Sequence, residues 1–417
     1  MLLLLILKLY TLAQYLYGFA IWIAASRNTK ARLWIHGRRH VYGHLQNNFY
    51  KGDEVIWIHV SSVGEFEQAR PLIHQIKSQF PQFKLLLTFY SPSGYKLRKD
   101  YPELDCVSYL PIDTPKNAIR FVELINPKYT FFVKYDFWPN YLNELQKRGH
   151  AHFVISAIFR PNQYFFKFYG AWMLDLLSKV DHFFVQNQES KTLLNSRGID
   201  QVSSVGDTRF DQVIHNSKSI EELPLVKAFK GDSLLFLAGS TWSAGEWLLK
   251  DFISCSNLNF KYVIAPHEIH QSHILQLQSI ISGNVVLYSE CNLENVLHAD
   301  VLIIDNIGLL SSMYAYADIA YVGGGFGKGI HNILEPASFG IPIFIGPNNV
   351  KFNEAKELKD LGVAIEIKAA KEMVTRTNQM INHDLLGEIK SHSRSYIYNN
   401  SGATKKLVSK VFKGIDD

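Results

Sequence analysis

The sequence predicts an α/β protein of two successive Rossmann-like domains facing a central cleft, preceded by an apolar N-terminal helix. Short β-branched and aromatic runs alternate with longer amphipathic stretches, the pattern of a parallel sheet wrapped by crossover helices. That rhythm breaks once, at a polar segment around 208–232, and then resumes. The chain has 417 residues, 47% of them apolar and 19% charged, enough for two domains with substantial cores and too apolar for disorder.

Residues 1–25 are apolar except for breaks such as Lys8, Thr11 and Gln14. As a helix they would run about 37 Å, against a hydrocarbon layer of about 30 Å. No charge precedes the apolar run at 2–7, which argues against a signal peptide. No acid occurs before Asp53, while Arg27, Lys30, Arg32, Arg38 and Arg39 follow the run closely. A membrane anchor with its basic flank on the cytoplasmic side is therefore expected, near an anionic membrane surface. A buried core helix is the competing reading, and Lys8 with Tyr10, Tyr15 and Tyr17 leaves open a helix lying in the interface.

Strands are expected at 55–60, 84–89, 106–110, 129–133, 152–156 and 182–185. A second series is expected at 234–238, 261–265, 285–287, 301–304, 319–322 and 341–345. The domain reading is an anchor over 1–25, a first domain over 26–210, a linker over 211–232 and a second domain over 233–395. Residues 396–417 would form a C-terminal helix able to pack back on the first domain. Cys106, Cys255 and Cys291 are isolated, which fits a reducing compartment and neither a disulfide frame nor a zinc site.

In parallel sheets ligands bind beyond the carboxyl ends of strands, so the loops there should carry the chemistry. Three share a grammar: a cap-type residue followed three later by glutamate, at Ser62/Glu65, Ser243/Glu246 and Asn332/Glu335. The structural explanation is the capping box at a helix start. Gly64 weakens it for Glu65, and Pro336 suggests that Glu335 precedes the regular helix; for Glu246 nothing opposes it. Before the third pair comes Gly323-Gly324-Gly325-Phe326-Gly327-Lys328-Gly329, with more glycine than a tight turn needs. It matches neither G-x-G-x-x-G nor the Walker pattern, and is expected to bring backbone amides close to a nucleotide. Ser240 and Thr241 are left free to bind an anion. Two such halves suit transfer from a nucleotide-activated donor, with Glu65 as general base and Glu335 accepting from a ribose diol.

Several blocks carry a resemblance. They are Ile58-His59-Val60-Ser61-Ser62-Val63-Gly64-Glu65 with Arg70-Pro71-Leu72-Ile73, Pro111-Ile112-Asp113, and Phe137-Trp138-Pro139-Asn140. Gly206-Asp207-Thr208-Arg209-Phe210-Asp211, Ala238-Gly239-Ser240-Thr241 and His331-Asn332-Ile333-Leu334-Glu335-Pro336 complete the set. In this order the chain resembles the 3-deoxy-D-manno-octulosonic acid (Kdo) transferases of lipopolysaccharide synthesis. The resemblance implies a GT-B glycosyltransferase at the cytoplasmic face of the inner membrane. It also implies CMP-Kdo as donor, a lipid A precursor (lipid IVA) as acceptor, and inversion at the anomeric carbon without a metal or other cofactor. It places the base on Glu65 and a phosphate-stabilising cation on Arg209. The CMP contacts fall on Pro266 and His267, on Gly308, Leu309 and Leu310, and on Asn332, Ile333, Leu334 and Glu335, with Gly325 and His331 in the same loop.

Three departures stand out. The family commonly has Glu-x-Glu before Trp-Pro-Asn, where this chain has Lys134-Tyr135-Asp136; Asp136 is kept as a catalytic candidate. Lys134 either pairs with a nearby acid or meets a substrate anion. Pro-Arg-His becomes Pro266-His267-Glu268, and Asp-Thr-x-Gly-Glu-Leu becomes Asp305-Asn306-Ile307-Gly308-Leu309-Leu310. His267, His270 and His273 fall in one segment but without H-E-x-x-H, so no metal site is expected. The competing functions are a UDP-sugar-dependent lipid glycosyltransferase, an enzyme of the UDP-GlcNAc 2-epimerase type, and a non-catalytic binding protein.

Overall fold

The computed structural model describes residues 2–256 and 258–413; Met1 and residues 414–417, at the outer ends of the expected anchor and C-terminal segment, lie outside them. Two compact units are present, Met1–Gln212 with Ser401–Asp417, and Val213–Asn400.

The first unit contains β1 (Val55–Val60), β2 (Lys84–Phe89), β3 (Cys106–Tyr109), β4 (Tyr129–Val133), β5 (Ala151–Ala157), β6 (His182–Val185) and β7 (Val202–Ser204). They form one parallel sheet in the order β3-β2-β1-β4-β5-β6-β7. Successive side chains of a strand point to opposite faces. In β1, Val55 and Trp57 enter one core while Ile56, Ile58 and Val60 enter the other. Burial on both faces is why these strands read as unbroken apolar runs.

The second unit contains β8 (Leu234–Thr241), β9 (Phe260–Pro266), β10 (Val285–Leu287), β11 (Val301–Ile303), β12 (Ile319–Val322), β13 (Ile343–Ile345) and β14 (Ala364–Glu366). Their order is β10-β11-β9-β8-β12-β13-β14, again all parallel. Each sheet grows outward in both directions from its first strand, so the order reverses between β1 and β4 and between β8 and β12. Such a reversal leaves a crevice at the carboxyl ends of those strands.

β7 (Val202–Ser204) and β14 (Ala364–Glu366) escaped the sequence pattern: each has three residues, and of them only Val202 and Ala364 are buried. The expected linker over 211–232 is a correction: it is largely helical, at Thr208–Lys218 and Pro224–Lys230. Leu223, Val226 and Phe229, spaced by three, bury against the second sheet, with Leu225 and Ala228 partly buried beside them. The division between units falls inside the first of these helices.

Helix Leu386–Asn399 belongs to the second unit, and helix Ala403–Val411 to the first. Ala403, Leu407, Val408 and Phe412 join the core that contains Ile58 and Phe131. Asp211 caps this helix from a distance. Its carboxylate accepts from Gly402 N at 2.5 Å, Thr404 N at 2.7 Å and Thr404 Oγ1 at 2.6 Å. A second remote cap explains two more sequence blocks. Asp113, buried, accepts from the N–H groups of Asn140 and Tyr141, each at 3.2 Å, at the start of helix Pro139–Lys147.

Helix Leu2–Ala24 is long and apolar enough to cross a membrane, yet one side of it packs on the first unit. Tyr10 meets Trp172 at 6.2 Å between rings, and Tyr17 meets Trp34 edge-on at 6.2 Å. Arg38, expected in the basic flank, turns inward instead. It donates to Leu110 O and Tyr90 O, both at 2.9 Å, with its guanidinium 3.9 Å over Trp34. Its pairing with carbonyls and aromatic faces makes it a structural clamp.

Asp211→Ala removes three charge-assisted bonds from one cap. It should cost about 2 kcal/mol in urea unfolding and expose residues after 400 to early proteolysis. An unchanged midpoint and digestion pattern would show that the C-terminal helix is held by its apolar face alone.

Candidate functional site

β1 and β4 pair with His59 opposite Phe132, so their following loops leave the first sheet side by side. Glu65 stands at the start of helix Val63–Gln79 in a complete capping box, despite Gly64. Its Oε2 accepts from Ser61 N at 2.6 Å and Ser62 N at 2.9 Å, and Ser62 Oγ accepts from Glu65 N at 3.4 Å. The structural explanation of this spacing is thus realised. The neighbouring Asp136 carboxyl shares a side-chain hydrogen bond with Glu65. Two backbone amides fix one oxygen and thereby aim the second.

Asp136 lies against Ser61 and Glu65. Burial, and then the charge of Glu65, push its carboxyl well above the usual carboxylate range. Its Oδ2 finds no hydrogen-bond partner among the described residues. It sits 3.6 Å from His59 Nε2, but that contact is not an ion pair. His59 is fully buried, which pulls its pKa down to about 3. Trp138 Nε1 donates to His59 Nε2 at 2.8 Å, and an indole can only donate. Nε2 is therefore the acceptor and Nδ1 carries the hydrogen, directed at Thr88 Oγ1 at 2.8 Å. A neutral histidine cannot offset a carboxylate, so the proton stays on Asp136.

Lys134 holds a left-handed backbone, φ 60°, which side chains other than glycine rarely adopt. Glu65, Asp207 and Asp136 surround it, together with Arg209. Burial lowers its pKa, against the pull of Glu65. Among the described residues it makes no ion pair within 4.0 Å, so the expected pairing with a nearby acid is not closed. Arg209 is tied to Asp207, with Nε at 2.8 Å and Nη2 at 2.7 Å from Oδ2. Glu65, Asp136 and Arg209, the three catalytic candidates, thus share one neighbourhood with Lys134. His59, Trp138 and Asp207 were missed in the sequence as site-shaping residues.

In the second unit the candidates lie at the carboxyl ends of β8 and β9 and in the segments that follow β9, β11 and β12. A strand irregularity at Ser240, φ 52°, drives its carbonyl toward Gly323; a Cβ on Gly323 would meet that oxygen at 2.0 Å. A Cβ on Gly325 would meet Gly346 N at 2.6 Å. Two of the glycines are therefore required by backbone-on-backbone packing, which corrects the expectation that a ligand demands them. The amides of Gly327 and Gly329 turn onto Gly324 O at 2.9 and 3.3 Å.

Thr241 is a further correction. It is buried, and its hydroxyl donates to Glu246 Oε1 at 2.8 Å rather than remaining free. Glu246, 2% exposed, also faces His273 Nε2 at 3.0 Å, so Ser243/Glu246 is no capping box. Helix Ser243–Cys255 instead begins at Trp242 with no side-chain cap. Its first turn opens on a cavity of about 320 Å³ lined by Trp242, Ala244, Gly245, Tyr321, Phe326, Lys328 and His331, among others. The Tyr321 hydroxyl is buried there without a partner among the described residues. Uncapped amides and one lysine favour an anion, and the aromatic walls favour a ring.

Trp242 Nε1 donates to His331 Nε2 at 2.8 Å, repeating the indole–histidine pair of the first unit. Burial, then His267, pull the His331 pKa down to about 4. His267 stacks on Trp242 at 4.7 Å, beside Pro266 at the end of β9. Gly308, φ 108°, Leu309 and Leu310 open the short helix Leu310–Met313 after β11. Ile333 and Leu334 are buried, so only their backbone is available to a ligand. Asn332 accepts from Leu334 N at 3.1 Å and donates to Glu335 Oε1 at 3.1 Å. Glu335 is the second residue of helix Leu334–Phe339, not a residue preceding it.

Residues 27–212 match the family model described as 3-deoxy-D-manno-octulosonic-acid transferase (kdotransferase). The 3-deoxy-D-manno-octulosonic acid transferase of Aquifex aeolicus (strain VF5) is 30% identical over 349 residues, covering 82% of this chain and 89% of the relative. That of Rickettsia prowazekii (strain Madrid E) is 24% identical over 374 residues, covering 86% and 79%. UDP-GlcNAc 2-epimerase from Neisseria meningitidis bound to UDP-GlcNAc superposes with a TM-score of 0.60 at 14% identity, covering 87% of this chain and 100% of that one. This last likeness shows the fold: two Rossmann-like domains of the GT-B type.

The raised Asp136 carboxyl makes a signed prediction. A folded pKa of about 8 against about 3.9 unfolded means that the folded state holds the proton more tightly. Stability from this group is present at low pH and lost as pH rises toward 8. Asp136→Asn should therefore gain melting temperature relative to wild type between pH 5 and about 8; parallel curves would show that Asp136 is ionised in the fold.

Proposed function

The chain belongs to the 3-deoxy-D-manno-octulosonic acid (Kdo) transferase family, and on that premise we propose that it moves Kdo from CMP-Kdo to a hydroxyl of a lipid A precursor, lipid IVA. Glu65 carries this reading: a carboxylate whose Oε2 is anchored by two amides and which lies in hydrogen-bond contact with the Asp136 carboxyl. In the proposed step Oε1 removes the acceptor hydroxyl proton as that oxygen attacks the anomeric carbon of Kdo. The C–O bond to CMP breaks on the opposite face, which inverts the centre. Asp136, holding its proton, keeps a second negative charge away from the attacking oxygen, and Lys134 and Arg209 supply positive charge nearby.

The donor reading rests on the second unit. The uncapped start of helix Ser243–Cys255 and Lys328 suit the phosphate, while Asn332 and Glu335 suit a ribose diol. Trp242 and His267 offer flat faces, and Gly308 leaves Leu309 and Leu310 to contribute backbone groups. The developing phosphate charge is met by protein groups, so the scheme calls for no metal or other cofactor. An apolar N-terminal helix suits an enzyme with a lipid acceptor, working at the cytoplasmic face of the inner membrane.

Glu65→Gln tests the base. Glutamine also completes a capping box, so folding should hold while turnover falls by about two or more orders of magnitude. Near-normal product mass from CMP-Kdo and lipid IVA would remove Glu65 from the mechanism. Donor choice is tested by thermal shift. CMP at a hundredfold excess over its Kd should stabilise by about 2.7 kcal/mol, with UMP and UDP well below that. Stronger protection by UDP would favour a UDP-sugar enzyme.

A further inference from the structure

Helix Leu2–Ala24 is pinned lengthwise. Ile6, Tyr10, Gln14, Gly18 and Ile21, three or four apart, form its half-buried stripe. Tyr10 reaches Trp172 and the Asp113 carboxyl, and a Cβ on Gly18 would come within 2.9 Å of Ile112. A folded domain does not enter hydrocarbon, so a helix held along it offers lipid only its other side. That side carries Leu5, Leu9, Leu12, Leu16, Phe19 and Trp22, all exposed at the same three-or-four spacing.

Next to this helix stands a second apolar feature. Phe168 is 93% exposed and Tyr169 60%, on the turn Phe168–Gly170 that leads into the helix bearing Trp172. The turn is rigidly backed: Phe165 and Phe166 are buried, and a Cβ on Gly170 would meet Tyr164 O at 2.0 Å. Two large rings held outward on a fixed turn cost solvation with no return unless something covers them. The surrounding charge identifies the cover. Lys8, Arg27, Lys30, Arg32 and Lys167 are exposed. No acid precedes Asp53, and none lies between Glu144 and Asp175.

We propose that Phe168 and Tyr169 are a second membrane-inserting element beside helix Leu2–Ala24, which lies within the interface of an anionic bilayer rather than across it. Outward leucines enter the acyl boundary, the rings dip beside them, and the lysines and arginines meet anionic head groups. The orientation deepens the reading of a lipid acceptor, since it holds the first unit flat on the surface that carries that acceptor.

The test uses the full chain and vesicles of phosphatidylcholine and phosphatidylglycerol without donor or acceptor, so that docking is read separately from transfer. Phe168→Ser with Tyr169→Ser should weaken vesicle binding about tenfold or more, and neutral vesicles should bind far less than anionic ones. An environment-sensitive fluorophore is then placed on a cysteine at Leu9, Leu16 or Ile23, with Cys255 and Cys291 replaced by serine. Brominated lipids should report the same shallow depth at all three. Unaltered binding by the double variant overturns the second element, as does a variant that changes oligomeric state without changing vesicle affinity. A depth profile with position 16 at the bilayer centre and 9 and 23 near its edges overturns the in-plane helix.

Discussion

The reversal of strand order between β1 and β4, and again between β8 and β12, is the constraint on which the rest of the molecule depends. At a reversal the two crossover helices depart to opposite faces of the sheet, and no helix closes the gap above the strands. Loops there keep unpaired amides and can bring side chains from distant sequence positions together. Glu65 and Asp136 meet because β1 and β4 are neighbours in the sheet, although 71 positions separate them. Trp242 and His331 meet for the same reason across β8 and β12.

Backbone strain occurs at some of the same places, at Lys134 after β4 and Ser240 in β8. Lys134, Ser156 and Ser240 hold positive φ without being glycine, and all lie at or near the carboxyl ends of strands. Each such residue costs about 1–3 kcal/mol and persists only where the surroundings over-determine it. At Ser240 the surroundings are visible: its displaced carbonyl occupies the space that a side chain on Gly323 would need. Strain in one loop thus dictates glycine in another. The charge arrangement in the first unit obeys a similar logic. Two carboxyls in contact cannot both ionise cheaply, and Asp136, pushed up by burial and by the charge of Glu65, keeps the proton.

Remote caps tie the first unit together. Asp113 and Asp211 satisfy helix starts that lie 27 and nearly 200 positions away. Both belong to blocks that sequence reading took as marks of a family, and both turn out to do structural work. Indole-to-histidine pairs in each unit fix a neutral tautomer beside the candidate chemistry, so neither His59 nor His331 is poised to act as an acid.

The alternation of apolar runs determined the α/β class and most strands, because strands buried on both faces must be apolar along their whole length. The order of motifs along the chain determined the family, since those blocks mark the loops that follow strands. The helices in 211–232 were not legible, because the largely polar run 215–222 between them masks their apolar positions, among them Val213, Leu223, Val226 and Phe229. Spacing alone also misjudged the caps. Ser62/Glu65 is a capping box, whereas Ser243/Glu246 and Asn332/Glu335 are not, and local sequence is the same in kind for all three. Tertiary structure decided between them: Thr241 and His273 claim Glu246 in the interior, and the Asn332 side chain claims Glu335 directly. Why glycine fills 323 and 325 was likewise decided only in three dimensions, where the neighbour that excludes a Cβ is the backbone of Ser240 in β8 or of Gly346 just after β13.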